Sequence, residues 1–184
     1  MMDKYTKGYL SYIEETKDID MSEQYKLFMK YVPKGSLILD AGFGSGRDIA
    51  FFKQHYEVIG IDISKEFVEY VKENIHKDVF IMNILNLKLE DTFDAIWASA
   101  SLVHLDYADT IKAILMFTET LSESGIIYLS LKRSGELILI DDQLYTISNF
   151  IKDISKNFIL EELSSSTSSY KNQEWYSFIL RVNK

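Results

Sequence analysis

The amino-acid sequence predicts an α/β protein with a mostly parallel sheet and helices on both faces. Three observations carry this expectation. Strand-like apolar runs alternate with helical patterns through the first two-thirds of the chain, a pattern that favours parallel pairing through helical crossovers. One strand run ends in an acid followed by three glycines at alternate positions, within "LILDAGFGSGRDIAFF" from Leu37 to Phe52. Two strand-like runs then close the chain one after the other, which implies an antiparallel hairpin appended to the parallel sheet.

The elements follow in order. The first thirty-odd residues read as helical and are expected to cover the sheet edge or a ligand site. Residues 1–34 therefore form a helical cap or lid, and residues 35–184 the main part of a single compact domain. Strands are expected at Ser36–Asp40, Glu57–Asp62, Asp94–Ser99 and, more weakly, Asp78–Asn83. Helical patterns lie at Arg47–Gln54, Lys65–Ile75 and Tyr107–Leu121. In the second of these, Phe67, Val68, Val71 and Ile75 share one face, and Ser64 is placed to cap it. Gly125 is expected to end a helix, with a fifth strand at Ile126–Lys132. A short helix capped by Thr146 follows, and then "FILEELSS" and "EWYSFILRV", with "SSSTSSYKNQ" as the connecting loop.

Bulk properties exclude several classes. With 184 residues the chain is long enough for one well-buried domain and short for two. It carries 20 basic and 28 acidic residues, a net charge of -8, and no basic stretch of the kind that grips phosphate backbones. A small molecule is therefore the expected partner, and no nucleic acid is expected. The absence of cysteine excludes disulfides, thiolate catalysis and zinc–thiolate sites. Three scattered histidines give no metal-ligand spacing, so no metal is expected. "MMDKYTKGYLSYIEE" lacks the apolar core of a signal peptide, and no apolar run reaches membrane-spanning length. A cytoplasmic location away from the membrane is the expectation. No feature of the sequence specifies an oligomeric state.

The glycine loop points to chemistry. Glycine permits a tight turn and close backbone approach where a Cβ would collide. A helix beginning at that turn aims free N–H groups and the positive end of its dipole at a ligand. Asp62 ends the second strand about twenty residues beyond the first, where a carboxylate can accept from both ribose hydroxyls of an adenosine. A dinucleotide fingerprint has the spacing G-x-G-x-x-G, whereas "GFGSG" is G-x-G-x-G and follows Asp40 directly through Ala41. An acid there repels pyrophosphate but suits a sulfonium and an ammonium.

With these residues in place, "ILDAGFGSGRD" resembles motif I of the class I S-adenosylmethionine-dependent methyltransferases, and "VIGIDIS" resembles their second motif. "FDAIWASASLVHL" is similar to their fourth-strand motif and "LSESGIIYLSLK" to their fifth-strand region. The wording is nearest to small bacterial stand-alone members, including tellurite-resistance-like ones. Where that family commonly has cysteine as the second loop residue, this chain has Phe43. The resemblance implies a Rossmann-like seven-stranded sheet with an antiparallel C-terminal hairpin, and S-adenosyl-L-methionine as cofactor. It implies that Asp40, Ala41 and the backbone of Gly42, Gly44 and Gly46 hold the methionyl part, and that Ala98 offers its carbonyl to the methionyl amine. Asp62 takes the ribose, and Ile63 packs on the adenine beside Ile84. Asn83 stands where the family usually has an acid for the adenine amine, and its amide oxygen can still accept.

The turn "ASASLVHLD" after the fourth strand would face the methyl group. His104 is either a base for the attacking atom or a residue that packs and shapes the pocket. Methyl transfer can also run on proximity and desolvation alone. Arg47 either pairs with the methionyl carboxylate or is a solvated helix residue. Tyr5, Tyr12 and Tyr25 lie in the leader, which the family often folds over the donor. Trp97 reads as sheet core and Trp175 as a border of the acceptor pocket. His55 and His76 read as surface residues at helix ends. The function expected is methylation of a small-molecule acceptor. Methylation of RNA or protein is an alternative, although the chain has neither an added basic domain nor the Asn/Asp-Pro-Pro-aromatic turn of amine-methylating enzymes. A catalytically silent binding module is another, opposed by the intact glycine loop and Asp62.

Overall fold

A computed structural model describes the backbone of residues 2–183 and the side chains of residues 8–183. The side chain of Tyr5 lies outside the described residues. Two helices open the chain, α1 (Met2–Thr16) and α2 (Ser22–Met29). The alternating part follows as β1 (Leu37–Ala41), α3 (Arg47–Phe52), β2 (Glu57–Asp62), α4 (Lys65–Asn74), β3 (Val79–Ile81), β4 (Phe93–Ala98), α5 (Tyr107–Thr120) and β5 (Leu121–Ser134). The remainder is β6 (Leu137–Ile140), β7 (Gln143–Thr146), α6 (Ile147–Ile154), β8 (Phe158–Thr167) and β9 (Glu174–Val182).

The seven strands β3-β2-β1-β4-β5-β9-β8 form the expected path. Strands β1 to β5 pair in parallel, and β9 runs antiparallel between β5 and β8. Two further strands, β6 and β7, were not anticipated from the sequence. Lys132 of β5 is paired with both Trp175 of β9 and Leu139 of β6, so the β6–β7 hairpin occupies the edge that β4 leaves after Ala98. Its turn residues Asp141 and Asp142 both have positive φ (47° and 58°), the geometry of a type I′ hairpin turn.

Because side chains alternate along a strand, each strand feeds both faces. On one face Leu39, Ile96, Leu129 and Leu131 pack with Phe117 of α5 and Phe150 of α6. On the other, Ile38, Ala95, Trp97 and Tyr128 pack with Ile13, Phe28, Phe52 and Val71 of α1 to α4. Both faces are dry, which explains why the strand runs are continuously apolar rather than alternating.

Two boundaries differ from expectation for identifiable reasons. α5 ends at Thr120, and Gly125 lies inside β5, where a Cβ would sit 2.8 Å from the Leu121 side chain. Its role is close packing within a strand whose pairing to β4 shifts register between Phe93 and Ala95. The serines of "SSSTSSYKNQ" are only partly loop: β8 continues through Thr167, with Ser164 and Ser166 paired to Ser177 and Trp175. Cross-strand partners have overridden the weak strand propensity of serine.

Candidate active site

Strand registers assemble the site. Asp40 lies opposite Gly60 on one side and Trp97 on the other, so the C-terminal ends of β1, β2 and β4 converge. Asp62 is in register with Ile81, and its carbonyl accepts from Met82 N–H, which brings residues 82–84 beside it. Asp40, Ala41, Asp62, Ile63, Asn83, Ile84 and Ala98 thus lie along one end of the sheet, as the doubly wound architecture requires.

The glycine loop crosses this end with all three glycines at positive φ. A Cβ on Gly42 would lie 2.5 Å from Ser101 Cβ, so the loop passes directly over the turn after β4. Gly46 packs elsewhere: a Cβ there would meet Val71 of α4 and Ile75 just past its end at 2.7 and 2.8 Å. Asp62 braces the loop, its Oδ2 accepting from Gly44 N–H at 2.9 Å while Oδ1 accepts from Ser64 N–H at 2.9 Å. Burial pushes the Asp62 carboxyl up, and the backbone N–H groups of Ser64, Gly44 and Ile63 oppose that shift. Ile63, 49% exposed, offers an open apolar surface next to it. Asn83 is exposed, and its Oδ1 accepts from Leu85 N–H to cap a 3-10 turn at Ile84–Asn86. The amide oxygen assigned to adenine is therefore already engaged by the chain, and the NH2 group is the end without that commitment.

A buried polar network that the sequence reading missed lies below the loop. Asp48 accepts from Tyr25 Oη (2.6 Å), Trp97 Nε1 (2.8 Å), Arg47 Nε (2.7 Å) and Arg47 Nη2 (2.9 Å). Burial opposes ionisation of Asp48, but the Arg47 charge and these donors outweigh it and hold its carboxyl below the usual range. Arg47 is therefore no solvated helix residue, and the carboxylate beside it is that of Asp48. Asp40 is the opposite case. Burial and the nearby Asp48 charge push its carboxyl well above its ordinary value. A signal for Asp48 was present: it falls with Ile49 and Phe52 on the inward stripe of α3.

A cavity of about 530 Å³ opens above the loop. α1 and the turn into α2 form its roof, with the glycine loop and the 99–104 turn at one end. Tyr128, Ser130 and Lys132, alternate residues of β5, line its floor, and the 166–175 hairpin closes the far side. His104 and Trp175 both border it, and Tyr12 packs onto Gly44, 3.3 Å from where a Cβ would stand. Ala100, at φ 55°, holds the turn after β4 in a left-handed conformation, fixed by its N–H donating to Ser130 Oγ at 2.8 Å. Tyr25 and Trp97 are buried in the network and the sheet. His76 is half-buried rather than superficial, with Nε2 2.8 Å from the Val58 carbonyl. Among the described residues no cluster of three or more acidic or histidine side chains is arranged to hold a metal ion, and no helix is long and apolar enough to cross a membrane.

The loop end of this cavity fits the methionyl part of a sulfonium donor. Asp40 Oδ2 and Ser101 Oγ, which lie beside the loop rather than in the cavity lining, are buried without hydrogen-bond partners, Ser101 directly against Gly42, and an ammonium reaching them would supply a donor. Known proteins agree. Residues 38–125 match the family described as a methyltransferase domain. A protein of Alkaliphilus oremlandii named as an uncharacterized methyltransferase is 26% identical over 161 residues, covering 82% of this chain and 73% of the relative. The fold is shared with N-methyltransferase NodS of Bradyrhizobium japonicum, solved with S-adenosylhomocysteine, at TM-score 0.72 and 13% identity, covering 96% of this chain and 100% of that one. It is shared also with 1,6-didemethyltoxoflavin-N1-methyltransferase of Burkholderia thailandensis, solved with 1,6-didemethyltoxoflavin and S-adenosylhomocysteine, at TM-score 0.77 and 16% identity, covering 100% of this chain and 87% of that one. Residues 38–125 thus match a methyltransferase domain, and the glycine loop, Asp62 and the sheet order make the chain similar to S-adenosylmethionine-dependent methyltransferases.

Proposed function

We propose that this enzyme methylates a small-molecule acceptor held in the cavity between the glycine loop and the 166–175 hairpin. The observation that carries the proposal is the roof. α2 and the residue after it are fastened across the sheet by Tyr25 to Asp48, Gln24 to Ser166 (3.0 Å) and Lys30 to Glu162 (2.6 Å), and α1 by Glu15 to Tyr170 (3.2 Å), partly covering a cavity of small-molecule size. In this reading residues 1–34 act as a lid that excludes water from the transfer. The toxoflavin enzyme of similar fold, crystallised with a small heterocycle, supports the same choice. So does a net charge of -8, which opposes a nucleic-acid substrate.

The roles follow from position. Bound S-adenosylmethionine supplies an electrophilic methyl group on sulfur. Gly42 and Gly44, with Asp40 beneath, orient the methionyl end; Asp62 takes the ribose, and Ile63 the adenine. Ala98 ends β4 beside Asp40 and offers its carbonyl to the amine. His104, exposed on the cavity wall, accepts the proton released by the attacking atom. Incubation with tritiated S-adenosylmethionine and pooled metabolites, RNA and protein tests the proposal. Label should appear in the low-mass fraction, and label confined to RNA or protein would overturn it.

A further inference from the structure

We infer that the methyl acceptor is an organic anion with a planar body, and that Lys132 is the residue that selects it. The inference rests on the small-molecule reading above and concerns the far end of the same cavity. Lys132 continues the floor row of Tyr128 and Ser130 and is half-buried. Three carboxylates line the cavity, and each is engaged elsewhere. Asp48 is held by Arg47, Tyr25 and Trp97. Glu15 accepts from Ser11 Oγ (2.9 Å) and Tyr170 Oη (3.2 Å), and Asp20 accepts from Ser22 N–H (2.9 Å). None of these forms an ion pair with Lys132 among the described residues.

The result is a half-buried lysine lining the cavity with no counterion among the described residues, in a chain of net charge -8. Removing water from such a group is costly unless an anion replaces it, so a bound acceptor supplying a carboxylate or similar oxyanion is favoured over a neutral one. The neighbour of Lys132 across the sheet supplies the other half of the specificity. Trp175 is its register partner on β9, and it borders the cavity next to the ammonium. An indole beside a cation recognises a flat body carrying negative charge.

The test uses the full-length protein saturated with S-adenosylhomocysteine, titrated calorimetrically with matched pairs of aromatic acids and their amides. The probes are 3,4-dihydroxybenzoate, 4-aminobenzoate and indole-3-acetate, each against its carboxamide. At least one acid should bind ten-fold or more tighter than its amide. Lys132→Met should bring that ratio close to one, while Lys132→Arg retains it. The thermal shift given by S-adenosylhomocysteine should be the same in all three proteins. Equal binding of acids and amides to the wild type, no binding by any acid at millimolar concentration, or a preference that survives Lys132→Met would each overturn the inference. A wild type that fails to respond to S-adenosylhomocysteine would instead refute the donor reading beneath it.

Discussion

Asp40 and Asp48 lie on neighbouring elements beneath the glycine loop, yet the surroundings drive their protons in opposite directions. Asp48 is ionised because four donor contacts converge on it. Asp48→Ala would strand the Arg47 charge in a buried site, and a loss of about 3–5 kcal/mol is expected in chemical denaturation. Asp40 has a raised pKa, so the folded state holds a proton that the unfolded chain gives up earlier. Its contribution to stability is therefore present at low pH and is lost as pH rises toward the folded-state pKa. Melting curves of Asp40→Asn and wild type should diverge accordingly: the advantage of the variant grows as pH rises above the ordinary aspartate range, while its affinity for S-adenosylhomocysteine falls. A difference that stays constant from about pH 4 upward would contradict the assignment. His104→Ala should lower turnover by about a hundredfold or more, the usual scale for acid–base assistance, with product affinity unchanged. That Asp40, Asp62 and the glycine loop meet at one end of the sheet was legible because it follows from local order along the chain. Asp48 as a hub and Lys132 as a cavity cation were not, since their meaning depends on Tyr25, Trp97 and Trp175 from distant segments.

At the scale of elements, Gly46 separates packing from ligand contact within a single loop. Its φ of 77° and the close approach of Val71 and Ile75 mean that Gly46→Ala meets both a left-handed backbone penalty and overpacking. These cost about 1–2 kcal/mol and about 1–3 kcal/mol respectively. Thermal and urea unfolding should therefore show a loss of about 2–5 kcal/mol. A stability change within about 0.5 kcal/mol, the range of ordinary surface substitutions, would contradict the packing role. The helices flanking the loop were readable from the sequence. Ser64 caps α4, accepting from Phe67 N–H at 3.4 Å, and Thr146 caps α6, accepting from Asn149 N–H at 3.2 Å. The β6–β7 hairpin was less readable. "LILIDDQLYT" reads as a strand pair only once Asp141 and Asp142 are known to adopt positive φ, a conformation more usual with Asn-Gly or Asp-Gly. What secures it is tertiary: Tyr145 of β7 stacks on Tyr107 of α5 with ring centroids 4.0 Å apart, and Tyr107 Oη donates to Asp153 of α6.

The whole molecule brings together two ends of a ligand site whose parts arise far apart in the chain. The proposed donor end is local, lying between Asp40 and Ala98 on adjacent parallel strands. The proposed acceptor end needs α1, β5 and the β8–β9 hairpin together, which is why the sequence points to a donor and is nearly silent on an acceptor. The account therefore stands first on donor identity. The most direct measurement is the melting temperature with S-adenosylhomocysteine and, separately, with NAD, in the wild type and in Asp62→Ala. At a hundred times its dissociation constant a ligand stabilises the folded state by about 2.7 kcal/mol. At about 2–4 °C per kcal/mol for a chain of this size, the expected rise is roughly 5–11 °C. S-adenosylhomocysteine should produce that rise in the wild type and little of it in Asp62→Ala, and NAD should leave both unchanged. A larger rise with NAD, or none with S-adenosylhomocysteine, would contradict the account.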